Sequence, residues 1–271
     1  MKRFSVGLLG NLLLGAFATL SVLAAPAYGQ GTLEQVMSSG KLRVAIIGGN
    51  PPYSSLTPSG APEGYDIEIA KRVAAALNVE PEFITVDIPA RVTVLQTGKA
   101  DITVANFTKT VQRSTSIAFT DPYVVVSLQF LVRADRDDLQ TVEDINNPDV
   151  VVGITRGGTA EQNVPLAAPN ASIARFNNET DILAALDSGQ VHVMSQDNLY
   201  NAELMKNRPG QYKVLPGLYS YEEIAIGLPA GDFDWWRVLN TWVGQFNASG
   251  DNARLFKEWF GYDLPPIQAE Y

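Results

Sequence analysis

The sequence predicts an α/β protein built as two lobes. Short β-prone runs alternate with stretches whose apolar residues fall three and four apart, which predicts mainly parallel sheet covered by helices. The alternation begins again in the second half of the chain. With 46% apolar residues over 271 positions there is core enough for one large or two ordinary domains.

Residues 41–47 (KLRVAII) predict a buried strand, ended by Gly48-Gly49 and Pro51-Pro52. A helix follows from Gly64-Tyr65-Asp66, with Ile67, Ala70, Val73, Ala74 and Leu77 on one face and Asp66 near its positive end. Residues 83–86 predict a second strand, 92–98 a short helix and 100–105 a third strand. The second half opens with the β-prone run 124–132 (VVVSLQFLV), then a strand at 150–154, a helix at 181–186 and a strand at 191–194. A further strand is expected at 221–228 and a helical tail over 234–260, whose Trp235, Trp236, Trp242 and Trp259 recur at helical spacing and read as packing. The economical arrangement has 124–132 crossing out of the first lobe and 221–228 crossing back. Lobe 1 is then 28–126 plus 226–271 and lobe 2 is 127–225, with a ligand between them.

Composition narrows the chemistry. Zero Cys and one His exclude thiolate zinc sites, disulfides, iron-sulfur clusters and multi-histidine metal cages, so no cofactor or metal is expected. His192, alternating in a strand-like VHVM segment, reads as a structural histidine. Met1-Lys2-Arg3, an uncharged and mostly apolar stretch over 4–23 and an Ala25-Pro26-Ala27 site read as a cleaved export signal spanning 1–27. No Cys sits at the cleavage point, so lipid attachment there is not expected. Of the 20 basic residues, Lys2 and Arg3 leave with the signal; the remaining 18 against 29 acidic ones give a formal charge of −11, which disfavours nucleic acid as a partner. After Leu23 no apolar run is long enough to span a bilayer. The mature chain is expected to be a soluble, periplasmic monomer.

Residues 101–123 read DITVANFTKTVQRSTSIAFTDPY, with Thr108, Thr110, Arg113 and the close Phe119-Thr120-Asp121-Pro122-Tyr123. This stretch resembles the extracytoplasmic solute-binding proteins of ABC transporters for polar amino acids, the bacterial solute-binding protein family 3. Supporting matches run through the mature chain: Pro51-Pro52-Tyr53, Gly64-Tyr65-Asp66, residues 95–101 (LQTGKAD), Gly157-Gly158-Thr159, Gln196-Asp197 and Trp259-Phe260-Gly261. The resemblance implies a two-lobed periplasmic-binding-protein fold of type II, with two hinge strands. It also implies a receptor that delivers a polar L-amino acid to an inner-membrane ABC permease.

A zwitterionic guest needs donors for its carboxylate and acceptors for its ammonium. Arg113 is the candidate for the carboxylate, because a planar guanidinium offers two parallel N–H groups and keeps its charge; the resemblance gives the matching Arg this role. Thr108 adds a hydroxyl and an N–H. Gly158 and Thr159, in a glycine loop before a helix, add N–H groups at a positive helix end. Asp197 is the candidate acceptor for the ammonium, helped by a backbone carbonyl near Asn106, and it also suits the N-cap of the helix that follows. Around the side chain of the guest the resemblance loosens. Asn50 stands where many relatives carry an aromatic ring, so Tyr53 or Phe107 is a candidate replacement. Arg91 matches an Arg that meets a side-chain carboxylate in acidic amino-acid binders, which favours an anionic or polar guest. Glu179 stands where those binders have His. Were Arg91 and Glu179 to pair across the cleft, a neutral polar side chain would be the better guest. The rival reading is an enzyme on the same scaffold, similar to the cyclohexadienyl dehydratases, with Glu161 or Glu179 protonating a departing hydroxyl.

Overall fold

The computed structural model describes residues 1–2 and 31–267. The expected export signal lies outside them apart from its first two residues. No helix among the described residues is long and apolar enough to cross a membrane.

The first lobe opens with α1 (Thr32–Ser39) and β1 (Lys41–Ile46), followed by three short strands, β2 (Gly49–Asn50), β3 (Ser54–Leu56) and β4 (Pro62–Glu63). Next come α2 (Tyr65–Ala76), β5 (Glu80–Thr85), α3 (Arg91–Gln96), β6 (Ile102–Thr103), α4 (Val111–Ser114) and the long β7 (Ile117–Val126). The second lobe holds β8 (Leu128–Arg133), α5 (Val142–Ile145), β9 (Val151–Thr155), α6 (Ala160–Ala167), β10 (Ser172–Phe176), α7 (Glu179–Asp187), β11 (Val193–Asp197), α8 (Asn198–Asn207) and β12 (Tyr212–Val214). The chain returns through β13 (Glu222–Pro229) to α9 (Phe233–Ala248) and α10 (Asp251–Phe260).

Each lobe is one five-stranded sheet. The first runs β5-β1-β6-β13-β7, the second β10-β9-β11-β8-β12, and β2-β3-β4 form a small antiparallel sheet of their own. In the first, β5, β1 and β6 are parallel and β13 is antiparallel to both neighbours. In the second, β10, β9 and β11 are parallel and β8 is antiparallel to β11 and β12. The inner parallel strands β1 and β9 are largely buried because helices cover both faces, whereas the edge strands β5 and β10 mix half-buried and exposed positions. Two mainly parallel sheets with antiparallel crossing strands make the two-lobed type II fold.

The β-prone run over 124–132 is not one strand. It divides at Ser127, with β7 in the first sheet and β8 in the second. The Ser127 N–H donates to Asn198 Oδ1 at 3.0 Å, so the crossover is pinned where it leaves the ladder. The returning β13 pairs with β7 from Glu222 opposite Val126, earlier than the expected boundary at 225/226. The helical tail also divides, at Ser249 and Gly250; Gly250 takes a φ of 75°, a left-handed conformation that ends α9 and that a side chain resists. Trp235 is fully buried and donates its indole N–H to the Asp101 carbonyl at 3.0 Å, while Trp236 donates to the Phe119 carbonyl at 2.9 Å. Both are packing residues with their one donor satisfied. His192 is structural as well: its Nδ1 accepts the Val151 N–H at 2.9 Å.

Candidate functional site

In both sheets the parallel strands point their carboxyl ends at the same cleft, the place where open α/β sheets bind ligands. From the first lobe β1 leads to Asn50 and β6 to residues 104–108; from the second, β9 leads to Thr155 and the Gly157-Gly158-Thr159 loop, and β11 ends on Asp197. Asn50, Arg91, Asn106, Thr108, Gly158, Thr159, Glu179 and Asp197, expected at the site, all line one cavity between the lobes. Arg113 stands beside it, on a neighbouring groove shared with Gly158 and Thr159. Tyr53 and Phe107 line neither.

Asp197 is held from both lobes. Its Oδ1 accepts the Leu199 and Tyr200 N–H groups at 3.0 and 2.9 Å, capping α8, and the Tyr53 hydroxyl of the first lobe at 2.9 Å. Its Oδ2 accepts the Asn106 side-chain amide at 3.0 Å. Cap and cleft residue are therefore one group. Burial raises its pKa, and these hydrogen bonds act against that rise. Tyr53 is wholly buried, edge-on to Phe260, so it orients Asp197 from behind and supplies no wall. The Asn106 N–H is anchored on Asp66 Oδ2 at 2.7 Å, and Asp66 is in turn held by the Tyr123 hydroxyl at 2.8 Å. The helix-start residue Asp66 thus sets the loop that faces the cleft.

The two arginines behave differently from each other. Arg113 follows its N-cap Thr110 on α4 and donates to the carbonyl of Thr108 and, across the cleft, to that of Gly157 at 2.8 Å. Arg91 is almost fully buried and donates to the carbonyls of Ile88, Ala105, Asn106 and Gly157 at 3.1, 3.1, 2.9 and 3.5 Å. It braces the loops around the cleft. The Asn106 carbonyl thus accepts from Arg91 and keeps a second lone pair, and among the described residues Arg91 is not ion-paired with Glu179. The guanidiniums of Arg91 and Arg113 cover the Phe107 ring at 4.8 and 5.0 Å from its centroid. Phe107 is thus a buried platform under two cations. Burial lowers Arg91 to about 9, with Arg113 adding to the effect, and lowers Arg113 to about 10.

The sequence reading missed Glu222. It lies on β13, 5% exposed, and accepts the Thr108 hydroxyl at 3.0 Å and the Thr159 hydroxyl, with the Asn163 amide at 3.5 Å. Residues 107–109 dock along β13 through Ala225 N–H to Phe107 and Lys109 N–H to Glu223, which brings Thr108 to Glu222. The available signal was a Glu at the buried phase of an otherwise apolar strand (EEIAIGL). Glu179, at the start of α7, is 2% exposed; its Oε1 accepts the Gln196 amide at 3.0 Å, and burial pushes it up to about 7. Glu161 stands apart, bonded to the Gly157 N–H at 3.0 Å and to Arg175 at 3.0 Å.

A two-lobed fold with charged and polar groups from both lobes converging at strand ends defines a ligand-binding protein of the bilobed type. Residues 42–262 match the profile of the bacterial extracellular solute-binding proteins, family 3, and the chain belongs to that family. It is similar to the glutamine-binding protein of an ABC transporter from Bacillus subtilis (strain 168), 28% identical over 210 residues covering 76% of this chain and 75% of the relative. It is also similar to a probable histidine-binding protein of Neisseria gonorrhoeae, 27% identical over 256 residues covering 90% and 92%. Among solved structures, an ancestral amino acid-binding protein described as a precursor of cyclohexadienyl dehydratase superposes with a TM-score of 0.79 at 30% identity, covering 84% of this chain and 99% of that one.

Proposed function

We propose that this protein is an extracytoplasmic receptor that takes one polar L-amino acid between its lobes and presents it to an ABC-type permease. The observation that carries the reading is the opposition of Asp197, buried and positioned from both lobes, to the donor set of Arg113, Thr108 and Thr159. In this reading the guest's ammonium meets Asp197, and its carboxylate meets Arg113 and the N–H groups of Thr108 and Thr159, the latter at the positive start of α6. The two threonine hydroxyls donate to Glu222 and so fix the loops that carry those N–H groups. The names of the amino-acid-binding relatives support it. The lobes, 28–126 with 226–271 and 127–225, close as bodies because one guest satisfies groups on both. Micromolar binding corresponds to about −8 kcal/mol, within reach of a few charge-assisted bonds after ordering costs. We further propose export through a cleaved signal over 1–27 and action as a monomer.

The test is calorimetry of refolded, ligand-stripped protein against the twenty L-amino acids. At least one polar amino acid is expected to bind in the micromolar range, and Arg113→Ala is expected to weaken it at least a hundredfold. Affinity retained within tenfold in Arg113→Ala, or no binding by any amino acid, overturns the reading.

The buried acid Glu179 favours a second reading, the dehydratase, since a carboxyl raised to about 7 keeps a proton to donate near neutrality. Glu161, engaged by Arg175, is the weaker acid for that role. Turnover of prephenate or arogenate by the purified protein, abolished in Glu179→Gln, would establish it.

A further inference from the structure

The side-chain end of the cavity is short of donors. Two of its acceptors are buried without a partner among the described residues: Asn50 Oδ1 on the first lobe and Glu179 Oε2 on the second. Each residue is 2% exposed, so water cannot readily serve them, and an orphaned buried acceptor is costly. They come from facing elements. A Cβ added at Gly49, the neighbour of Asn50 on β2, would lie 3.6 Å from Thr180 Oγ1, the neighbour of Glu179 on α7.

The charges on the wall carry the argument further. Glu179, Asp197 and Glu222 line the cavity, and Arg91 is the only Lys or Arg among the described residues that does. Arg91 has committed four of its five N–H groups to backbone carbonyls and keeps only one Nη2 hydrogen, too few for a bidentate grip on a carboxylate of the guest. With Arg113 alongside, three acidic groups face two guanidiniums, and a zwitterionic backbone leaves that acidic excess untouched. Burial keeps Glu179 partly protonated near neutrality, and a cation beside it would draw it into the charged form. An acidic side chain would bring a further anion to two unsatisfied acceptors. An amide would supply N–H groups but no charge, and would add a carbonyl acceptor to a wall already short of donors. A guanidinium, ammonium or imidazolium supplies donors and neutralises the excess together.

Resting on the receptor reading above, we propose that the guest is an amino acid with a cationic side chain, whose N–H groups bond Glu179 Oε2 and Asn50 Oδ1. This inverts the preference for anionic or neutral guests that Arg91 suggested in the sequence.

The test is isothermal calorimetry on the ligand-stripped protein with L-arginine, L-lysine, L-histidine, L-glutamine and L-glutamate, repeated on Glu179→Gln. Arginine, lysine or histidine is expected to bind at least tenfold tighter than glutamine and a hundredfold tighter than glutamate. Glu179→Gln is expected to weaken the cationic guest at least tenfold and to narrow its advantage over glutamine. Glutamate or glutamine as the tightest ligand overturns the proposal while leaving the receptor reading intact, and so does an undiminished advantage in Glu179→Gln. Should the variant not fold, the ranking in the native protein still decides. Binding of none of the twenty overturns the receptor reading itself.

Discussion

Asp197 does two jobs that substitution can separate. Asparagine keeps an acceptor for the Leu199 and Tyr200 N–H groups but removes the charge proposed for the guest's ammonium, whereas alanine removes both. Asp197→Asn is expected to lose at least tenfold in amino-acid affinity by calorimetry with little change in melting temperature. Asp197→Ala should lose affinity and also about 1 kcal/mol of stability, the usual worth of a cap. The buried acids set a pH dependence. Burial raises Glu179 and Asp66 to about 7, so the folded protein keeps their protons well above the ordinary carboxylate range, while the unfolded chain releases them near 4. Their contribution to stability is therefore complete below about pH 4 and is lost as pH rises towards and through about 7. Arg91 opposes this at both carboxylates by favouring their charged forms, while Asp197 reinforces it at both. The melting temperature of ligand-free protein is expected to fall between pH 5 and 8, and less steeply in Glu179→Gln. An equal slope in the variant would remove Glu179 from the account.

At the scale of elements, the cleft depends on how α2 is started. Gly64 has a φ of 129°, and a Cβ there would stand 2.3 Å from the Tyr53 carbonyl oxygen, a contact that only displacement of the backbone relieves. That junction carries Tyr53, which orients Asp197, and Asp66, which holds the Asn106 loop. Gly64→Ala is expected to cost about 2 kcal/mol or more, seen as a lowered urea midpoint, with amino-acid affinity reduced as well. Unaltered stability would mean the junction relaxes freely. The division of the tail into α9 and α10 has a similar cause in Gly250, and α10 then lays Phe256 and Phe260 against Tyr65 in the first-lobe core.

At the scale of the molecule, a set of polar contacts crosses the cleft, beside a buried apolar cluster that holds residues of both lobes. Tyr53 and Asn106 reach Asp197, Arg113 and Arg91 reach the Gly157 carbonyl, and Thr108 and Thr159 meet on Glu222. Each of these polar groups lies at the cleft, so a guest that satisfies them adds directly to what favours the closed arrangement. Small-angle scattering is expected to give a smaller radius of gyration with bound amino acid than in ligand-stripped protein, and no such contraction in Arg113→Ala. Identical profiles with and without ligand would contradict a hinged receptor.

By itself the sequence determined the strand-helix alternation, the two-lobed class and the family, and it offered candidates around Arg113 and Asp197, most of which line the cleft. Periodicity and an ordered motif are local properties, legible wherever burial imposes its spacing. Only the tertiary structure decided which of those side chains remain free. Arg91, a candidate for a guest's carboxylate, has four of its five N–H groups on carbonyls from three loops, and Tyr53 and Phe107, candidate walls, lie buried in the core. Glu222, more than a hundred residues from Thr108, became a cleft residue because β13 runs back beside the loop after β6. Hydrogen-bond saturation and charge balance depend on groups remote in the chain, and no spacing along a sequence records them.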